Sequence, residues 1–310
     1  MASQPPLHLR AATRGSALAR WQTDHVGDLL TAAGAQVGIE VTFEPVVVET
    51  VADARQDVPI WEMGGKGVFV KEVQAAVLDG RADLAVHSAK DLPSGTPDGL
   101  VLAAVPERAD PRDVLVGSTL SALPPGGVVA TGSVRRRAQL AWLRPDLTFS
   151  GLRGNIATRL AKAEGFDAIV MAAAAVERLD LDLGGRAVDW LDVDVLVPQV
   201  GQGALAVECD ATNDRAVTLL ASVQHGPSRT CLDAERAYLA ELGGDCDLPA
   251  GAHAVLEGDE VVLEGLLASL DGHVVLRERR RGPAASAAAL GRDLARFLLD
   301  DAGGASLLVR

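Results

Sequence analysis

Two βα lobes followed by a smaller α+β unit, an α/β chain overall, is the fold class the sequence predicts. Three observations predict it. From Leu9 to about Val105, β-rich runs alternate with helical ones, the order of a largely parallel sheet covered by helices. From Asp113 to about Gln199 the same scheme repeats. Beyond residue 226 the pattern changes, and Gly258-Asp259 and Asp271-Gly272 mark hairpin turns of an antiparallel meander.

In the first lobe, LHLRAAT (7–13) reads as a strand, SALARWQTDHVGDLLTAAG (16–34) as a helix closed by Gly34, and VGIEVTFEPVVVE (37–49) as a second strand. The glycine turn GGKG (64–67) opens a helix, VFVKEVQAAVLDG (68–80). ADLAVHS (82–88) is a strand that ends in the loop KDLPSG. The charged, proline-bearing PERADPRD (106–113) reads as a linker. The second lobe follows as strand DVLVG (113–117), strand GVVAT (127–131), helix SVRRRAQLAWL (133–143), strand LTFSGLRG (147–154), helix NIATRLAKAEG (155–165) and strand FDAIVMAAAAV (166–176). GQGALAVECD (201–210) reads as a further strand and TNDRAVTLLASVQ (212–224) as a helix. The last part is a helix over 228–244, the meander over 252–282 and an alanine-rich helix from Ala284 to Ala302.

The chain has 310 residues, 48% of them hydrophobic and 23% charged. That composition is globular, with room for two or three domains, and argues against disorder or a fibrous architecture. The longest apolar run, Ala168 to Val176, is nine residues, about half of the ~20 that span a bilayer. No secretory h-region stands at the N-terminus, and three cysteines without CxxC spacing make no disulfide framework. These features predict a cytoplasmic protein with neither membrane nor nucleic acid as partner, as does the net charge of −13.

The average conceals an exception. Between Thr131 and Lys162 there are seven basic residues and one acid, Asp146, so this window is +6 and the remainder −19. Within it, Ser133 is a natural N-cap that places Arg135 and Arg136 in a first helical turn, where cations oppose the helix dipole by ~0.3 to 1 kcal/mol each. A negative partner should offset that. Asn155 caps the next helix in the same way, with Arg153 and Arg159 beside it. Two such helix ends at the sheet's C-terminal edge predict a polyanion site; a solvated basic face would carry interspersed acids, and this window has one.

HSAKDLP places Lys90 and Asp91 just beyond a strand, where a carboxylate can stabilise a cationic intermediate; alone, the pair would more often be a cap and a surface lysine. His87 reads as a structural strand-end residue. Lys66, in its glycine turn, suits an anion loop or a mobile lid, but no P-loop pattern is present. GQGALA superficially fits a dinucleotide fingerprint, and the strand-like LAVECD after it argues against that reading. The histidines form no metal-binding spacing, and no metal is expected. Cys209 and Cys231 read as structural thiols. Cys246, in the polar loop GGDCDLPAG, is more accessible and could be a nucleophile or an attachment point.

Taken in order, ATRGSALARWQ, GGKGVFVKE, DGRADLAVHSAKDLPS, ADPRDVLV, TGSVRRRAQL, RPDLTFSGLRGNIATRL, VGQGALAVECD and AERAYLAELGGDCDLPAGAHA resemble the porphobilinogen deaminase, or hydroxymethylbilane synthase, family from about Leu9 to Arg281. The resemblance implies two periplasmic-binding-protein-like lobes around a cleft and a smaller α+β C-terminal domain with a three-stranded antiparallel sheet. Its domains would be 1–103 with 200–221, 108–197, and 226–310. It implies a transferase of tetrapyrrole biosynthesis, monomeric, that joins four porphobilinogen molecules head to tail with loss of ammonia. The family primes growth on a dipyrromethane cofactor held by a thioether, and the match assigns that position to Cys246. The catalytic carboxylate falls at Asp91, stabilising the azafulvenium and protonated pyrrole nitrogens. Ser88, Lys90, Thr131, Ser133, Arg135, Arg136, Arg153 and Arg159 match positions lining the cofactor and substrate sites, Arg14 and Ser16 a further substrate pair, and Asp53, Lys66 and Phe69 a mobile lid.

Each porphobilinogen brings an acetate and a propionate, so an arginine-lined cleft suits the growing polycarboxylate and a single carboxylate suits the cationic pyrrole. Opposite charges ~4 Å apart gain roughly 4 kcal/mol at an effective dielectric of 20, before desolvation. Three positions depart from the family pattern: Gly132 stands where a second serine is usual, Val51-Ala52 precede Asp53 in place of Arg-Gly, and Asp245 replaces the glycine before Cys246. The last leaves Cys246 between two carboxylates, which disfavours its thiolate. Two other readings are a two-lobed binding protein for small anions, which would need neither the Cys246 loop nor a third domain, and a family member impaired in catalysis.

Overall fold

The computed structural model describes residues 5–50, 67, 70–244 and 248–308. Strand β1 (Leu7–Arg14) leads to Ser16, whose hydroxyl accepts from Ala19 N and caps helix α1 (Ala17–Gln36). The helix runs through Gly34, where the sequence predicts its end. A Cβ on Gly34 would stand 2.4 Å from Val41 Cγ2, so this glycine serves the close approach of β2 (Val41–Val48), and the left-handed turn is made by Gly38 at φ 73°. Helix α2 (Lys71–Leu78) starts later than the Val68 expected. After β3 (Leu84–Ser88) the expected loop tightens into a 3-10 turn, Ala89–Asp91, and β4 (Leu100–Ala104) follows.

The second series is β5 (Asp113–Val116), β6 (Val128–Ala130), α3 (Val134–Leu143), β7 (Thr148–Ser150), α4 (Ile156–Ala161), β8 (Ala168–Ala172), α5 (Ala173–Arg178) and β9 (Val188–Leu191). Residues 166–176 are not one strand. The chain turns helical at Ala173, whose N–H donates to Arg112 O, since alanine favours helix wherever the sheet stops claiming it. Next come β10 (Leu205–Asp210), α6 (Asp214–Ala221), α7 (Gly226–Glu241) and the meander β11 (Ala250–Glu257), β12 (Glu260–Ala268) and β13 (Val275–Pro283). Gly258 and Gly272 make its turns at positive φ. The terminal helix is α8 (Ala287–Arg296), flanked by a 3-10 turn and a π turn rather than continuous over 284–302.

Two compact units result: Met1–Arg108 with Ala204–Arg229, and Ala109–Gly203 with Thr230–Arg310. The first holds a sheet ordered β2-β1-β3-β10-β4, in which β1 lies parallel to β2 and β3 while β10 runs antiparallel to β3 and β4. The second holds β7-β6-β8-β5-β9, with β6 parallel to its neighbours and β5 antiparallel to its own. The two orders correspond in position and direction, although the antiparallel strand comes last in chain order in the first unit (β10) and first in the second (β5). The second unit also contains the antiparallel sheet β11-β12-β13.

In the first unit Leu9, Leu30, Leu84 and Val86 pack on the α1 side and Ala12, Val73 and Ala85 on the α2 side; burying a leucine fully contributes ~1.5–3 kcal/mol. The β12 sheet is covered by Tyr238, whose hydroxyl donates to Leu266 O at 2.9 Å. None of the described helices is long and apolar enough to cross a membrane.

Candidate functional site

Strand β1 pairs with β3 only at Ala11 and Ala12, against Leu84 and Ala85. The ends of the two strands, Arg14 and Ser88, border a hollow of about 400 Å³ counting its open mouth. Its polar lining is Arg14, Ser16, Gln22, His87, Ser88 and Asp91, over an apolar patch that includes Val70, Val73 and Val86. Four residues that the sequence singles out, Arg14, Ser16, Ser88 and Asp91, thus meet in one place. Each is there for a local reason: Arg14 ends β1, Ser16 caps α1, Ser88 ends β3, and Asp91 completes the 3-10 turn that also carries the half-buried Lys90.

Gln22 was not foreseen. Its Nε2 donates to Ser88 Oγ at 2.9 Å, which orients the hydroxyl within the hollow. The signal was present: Gln22, Val26 and Leu30 share the buried face of α1, so a carboxamide stands where the helical period calls for an apolar residue.

In the second unit Ser133 caps α3, accepting from Arg136 N at 3.4 Å, and Thr131 Oγ1 accepts from Ser133 N at 3.2 Å. Arg135 and Arg136 are both buried, and the negative partner that their helix position demands is a protein group. Arg135 Nη2 donates to Asp113 Oδ2 at 2.7 Å, and Arg136 Nε and Nη2 donate to Oδ1 at 3.0 and 2.7 Å. Gln202, fully buried, adds a 2.8 Å bond to Oδ1. Burial pushes the Asp113 carboxyl upward, but Arg135 and Arg136 outweigh it and hold it at about 2. Neither Asp113 nor Gln202 was anticipated. The strand after GQGA is confirmed as β10, which removes the dinucleotide reading of that motif.

Arg153 lies in the loop before α4, and Arg159 lies within that helix. Arg159 Nε donates to Gly154 O at 2.8 Å, Lys162 Nζ reaches Arg153 O at 3.4 Å, and Asn155 accepts from Thr158 N at 2.9 Å as the expected cap. This helix has six residues and buries none of them. Elsewhere in the basic window, Arg144 pairs with Asp146 at 2.8 Å.

The Gly132 departure has a steric basis, since a Cβ there would stand 2.9 Å from Leu152 O. Cys209 and Cys231 are both buried, and burial next to Asp210 and Glu208 pushes Cys209 up to about 11. Among the described residues no group of His, Cys, Asp and Glu could hold a metal ion. Cys246, Asp53, Lys66 and Phe69 lie outside the described residues.

Comparison with known proteins gives two adjoining family matches. The model described as "Porphobilinogen deaminase, dipyromethane cofactor binding domain" matches residues 9–218, and "Porphobilinogen deaminase, C-terminal domain" matches residues 229–300. A porphobilinogen deaminase of Roseiflexus castenholzii is 49% identical over 305 residues, covering 97% of this chain and 98% of its own. One from Nitratidesulfovibrio vulgaris is 46% identical over 303 residues, covering 94% of each. Among solved structures, the periplasmic aliphatic sulphonate binding protein SsuA of Escherichia coli aligns at 16% identity with a TM-score of 0.38, covering 76% of this chain and 70% of that one.

Proposed function

The chain belongs to the porphobilinogen deaminase family, and from that premise we propose that it is a transferase, hydroxymethylbilane synthase, that condenses four porphobilinogen molecules head to tail with loss of one ammonia each. The observation that carries the reading is the hollow in which Asp91 stands with Arg14, Ser16 and Ser88. The guanidinium and hydroxyls suit the acetate and propionate of a monopyrrole. The carboxylate suits the positive charge that develops on the pyrrole as its ammonia leaves, an electrostatic role that is strongest where water is restricted.

The family's dipyrromethane cofactor would be held by a thioether at Cys246; when bound it supplies the nucleophilic pyrrole carbon on which the chain grows. Its carboxylates call for cations and hydroxyls, and the second unit offers that donor set. Arg159 bonds the loop carbonyl next to Arg153, Thr131 and Ser133 are at the start of α3, and Arg135 and Arg136 share a single carboxylate, so those three groups retain a net positive charge. Lys90 adds a cation beside Asp91. The same proposal includes the three-domain division given above, a monomer, and a cytoplasmic location.

Intact mass of the purified protein tests the reading, together with ammonia release from porphobilinogen. The mass should exceed the sequence mass by one dipyrromethane and fall to the bare polypeptide in Cys246→Ser. A bare mass from a porphobilinogen-replete host with no ammonia release would refute it.

A further inference from the structure

Helix α3 and the C-terminal sheet belong to the same compact unit, and a short piece of chain after β9 joins them. Val197 and Pro198 lie in none of the described strands, so their buried peptide groups must find partners outside a sheet. Val197 N–H donates to Gln139 Oε1 at 2.8 Å, and Val197 O accepts from Gln139 Nε2 at 3.0 Å and from Arg135 Nη1 at 2.7 Å. Pro198 has no N–H to satisfy, and its carbonyl accepts from Ala252 N at 3.0 Å. Gln139 and Arg135 stand four residues apart on one face of α3, and both are buried. Because the Gln139 carboxamide meets the N–H and the C=O of a single residue, it fixes both the place and the orientation of Val197.

Strand β11 is seated on the same two residues. A Cβ on Gly251 would stand 2.7 Å from Pro198 O, 2.9 Å from Val197 O and 3.2 Å from Arg135 Cδ, so the absence of a side chain there permits the approach. Further along, the Glu235 carboxylate of α7 accepts from Gly201 N at 2.8 Å and from Ala254 N at 2.9 Å, which joins the same two pieces of chain a second time. Ala138, Val197, Leu266 and Ala268 form a buried cluster at this junction. Strand and segment are thus one piece, and Gln139 with Arg135 fastens that piece to α3. The strand begins at Ala250, four residues after Cys246 in the chain, and Leu248 between them packs on the core of the C-terminal sheet.

We propose that Gln139 is a positioning residue of cofactor attachment: by fixing Val197 it holds the strand that follows Cys246 in place against Arg135 and Arg136 of α3. Attachment joins the Cys246 Sγ to the aminomethyl carbon of a porphobilinogen unit; the C–N bond breaks and ammonia leaves with the thiol proton. The arginines would hold the carboxylates of that unit while the thiol meets its carbon, so the distance between strand and helix decides whether both happen at once. Misplacing a reacting group by about 1 Å costs on the order of 100-fold in rate. Gln139 acts through Val197 and need not touch the pyrrole.

This role rests on the function proposed above, and the experiment separates the two. The full chain is purified from a porphobilinogen-deficient host and given porphobilinogen, and intact mass follows the adduct with time; the melting temperature and the rate of single alkylation by iodoacetamide are recorded beforehand. A wild type that gains no mass defeats the functional reading. With a wild type that loads, Gln139→Met, which fills the space without either bond, should load roughly 10- to 100-fold more slowly, with alkylation within about twofold because the thiol itself is untouched. Gly251→Ala, which pushes the strand off the same seat, should do likewise, and the double variant should load no more slowly than the worse single one. Leu219→Ala, in the core of the first unit, lowers stability without touching the junction and should load within about twofold of wild type. Loading within about twofold of wild type in Gln139→Met, alkylation slowed as much as loading, losses that multiply in the double variant, or equally slow loading in Leu219→Ala would each overturn the proposal. Should Gln139→Met fail to fold, Gly251→Ala carries the test, and a normal loading rate there overturns it equally.

Discussion

Asp113 Oδ1 accepts both Nε and Nη2 of Arg136, at 3.0 and 2.7 Å, inside a core where the carboxylate has no exposure. With Arg135 on its other oxygen, this acid neutralises one of two adjacent buried cations and fixes both to β5. Removing it strands two guanidiniums in a dry site. Asp113→Asn should destabilise the protein by about 3–5 kcal/mol, the usual cost of breaking a buried pair from one side, read by chemical denaturation.

The same contact should set an acid limb. The folded carboxyl sits at about 2, below its unfolded value near 3.9, so its contribution is complete above the unfolded value and disappears as pH falls through about 2. The stability gap between wild type and Asp113→Asn should therefore narrow from about pH 4 downward. A gap that stayed constant from pH 7 to pH 2 would rule this linkage out.

Asp113 also shows where sequence reading stops. The basic window contained a single acid because charge was counted along the chain, and Asp113 lies 22 residues before Arg135. The Ser133 and Asn155 caps were legible because capping is local, within three residues. So were the strand–helix order and the hairpin turns, which follow from periodicity and from Gly-Asp chemistry. The reversed direction of β10 between β3 and β4 was not legible, since apolar alternation records a face and no direction. The division of 166–176 at Ala173 was not legible either, because a short apolar alanine run satisfies both periods. At the candidate site, motif positions named Arg14, Ser16, Ser88 and Asp91, while the packing puts beside them Gln22, a carboxamide on an apolar helix face, and His87, which the sequence gives only a structural part.

Asp91→Asn keeps the size of the side chain and removes its charge. The 3-10 turn is closed by backbone, Leu92 N donating to Ala89 O at 3.2 Å, so the melting temperature should change little. Turnover should fall by roughly 100- to 1,000-fold, the scale of losing one preorganised electrostatic group. Ammonia release at saturating porphobilinogen measures it, and near-normal release would remove Asp91 from the role assigned to it.

Arg153→Leu and Arg159→Leu probe the polycarboxylate side. Arg159 lies in helix α4, which buries no residue, and Arg153 is half-buried in the loop before it, so both variants should fold, with stability changes within about 1 kcal/mol for Arg159→Leu. Each removes a cation meant for acetate and propionate groups, and charge-assisted pairs of this kind contribute about 1.5–3 kcal/mol, so elongation should slow by at least ~10-fold. Arg159→Lys separates charge from geometry: it keeps the cation but loses the Nε bond to Gly154 O. Unchanged product formation in both leucine variants would sink the polyanion argument.

Gly132→Ser restores the hydroxyl usual in the family and should nonetheless destabilise this protein. The Cβ would stand 2.9 Å from Leu152 O, which is backbone and cannot swing aside as a flexible side chain would. Leu152 itself is buried in the core with Val114, Ala130 and Ile169, and Thr131 N is bonded to Ser150 O at 2.9 Å. Relief therefore requires the β6–β7 edge to part slightly, an overpacking cost of about 1–3 kcal/mol. For a chain of this length that corresponds to a melting temperature lower by a few degrees, about 1.5 °C per kcal/mol. A variant as stable as the wild type would mean that the strand edge yields freely and that glycine at this position has no steric cause.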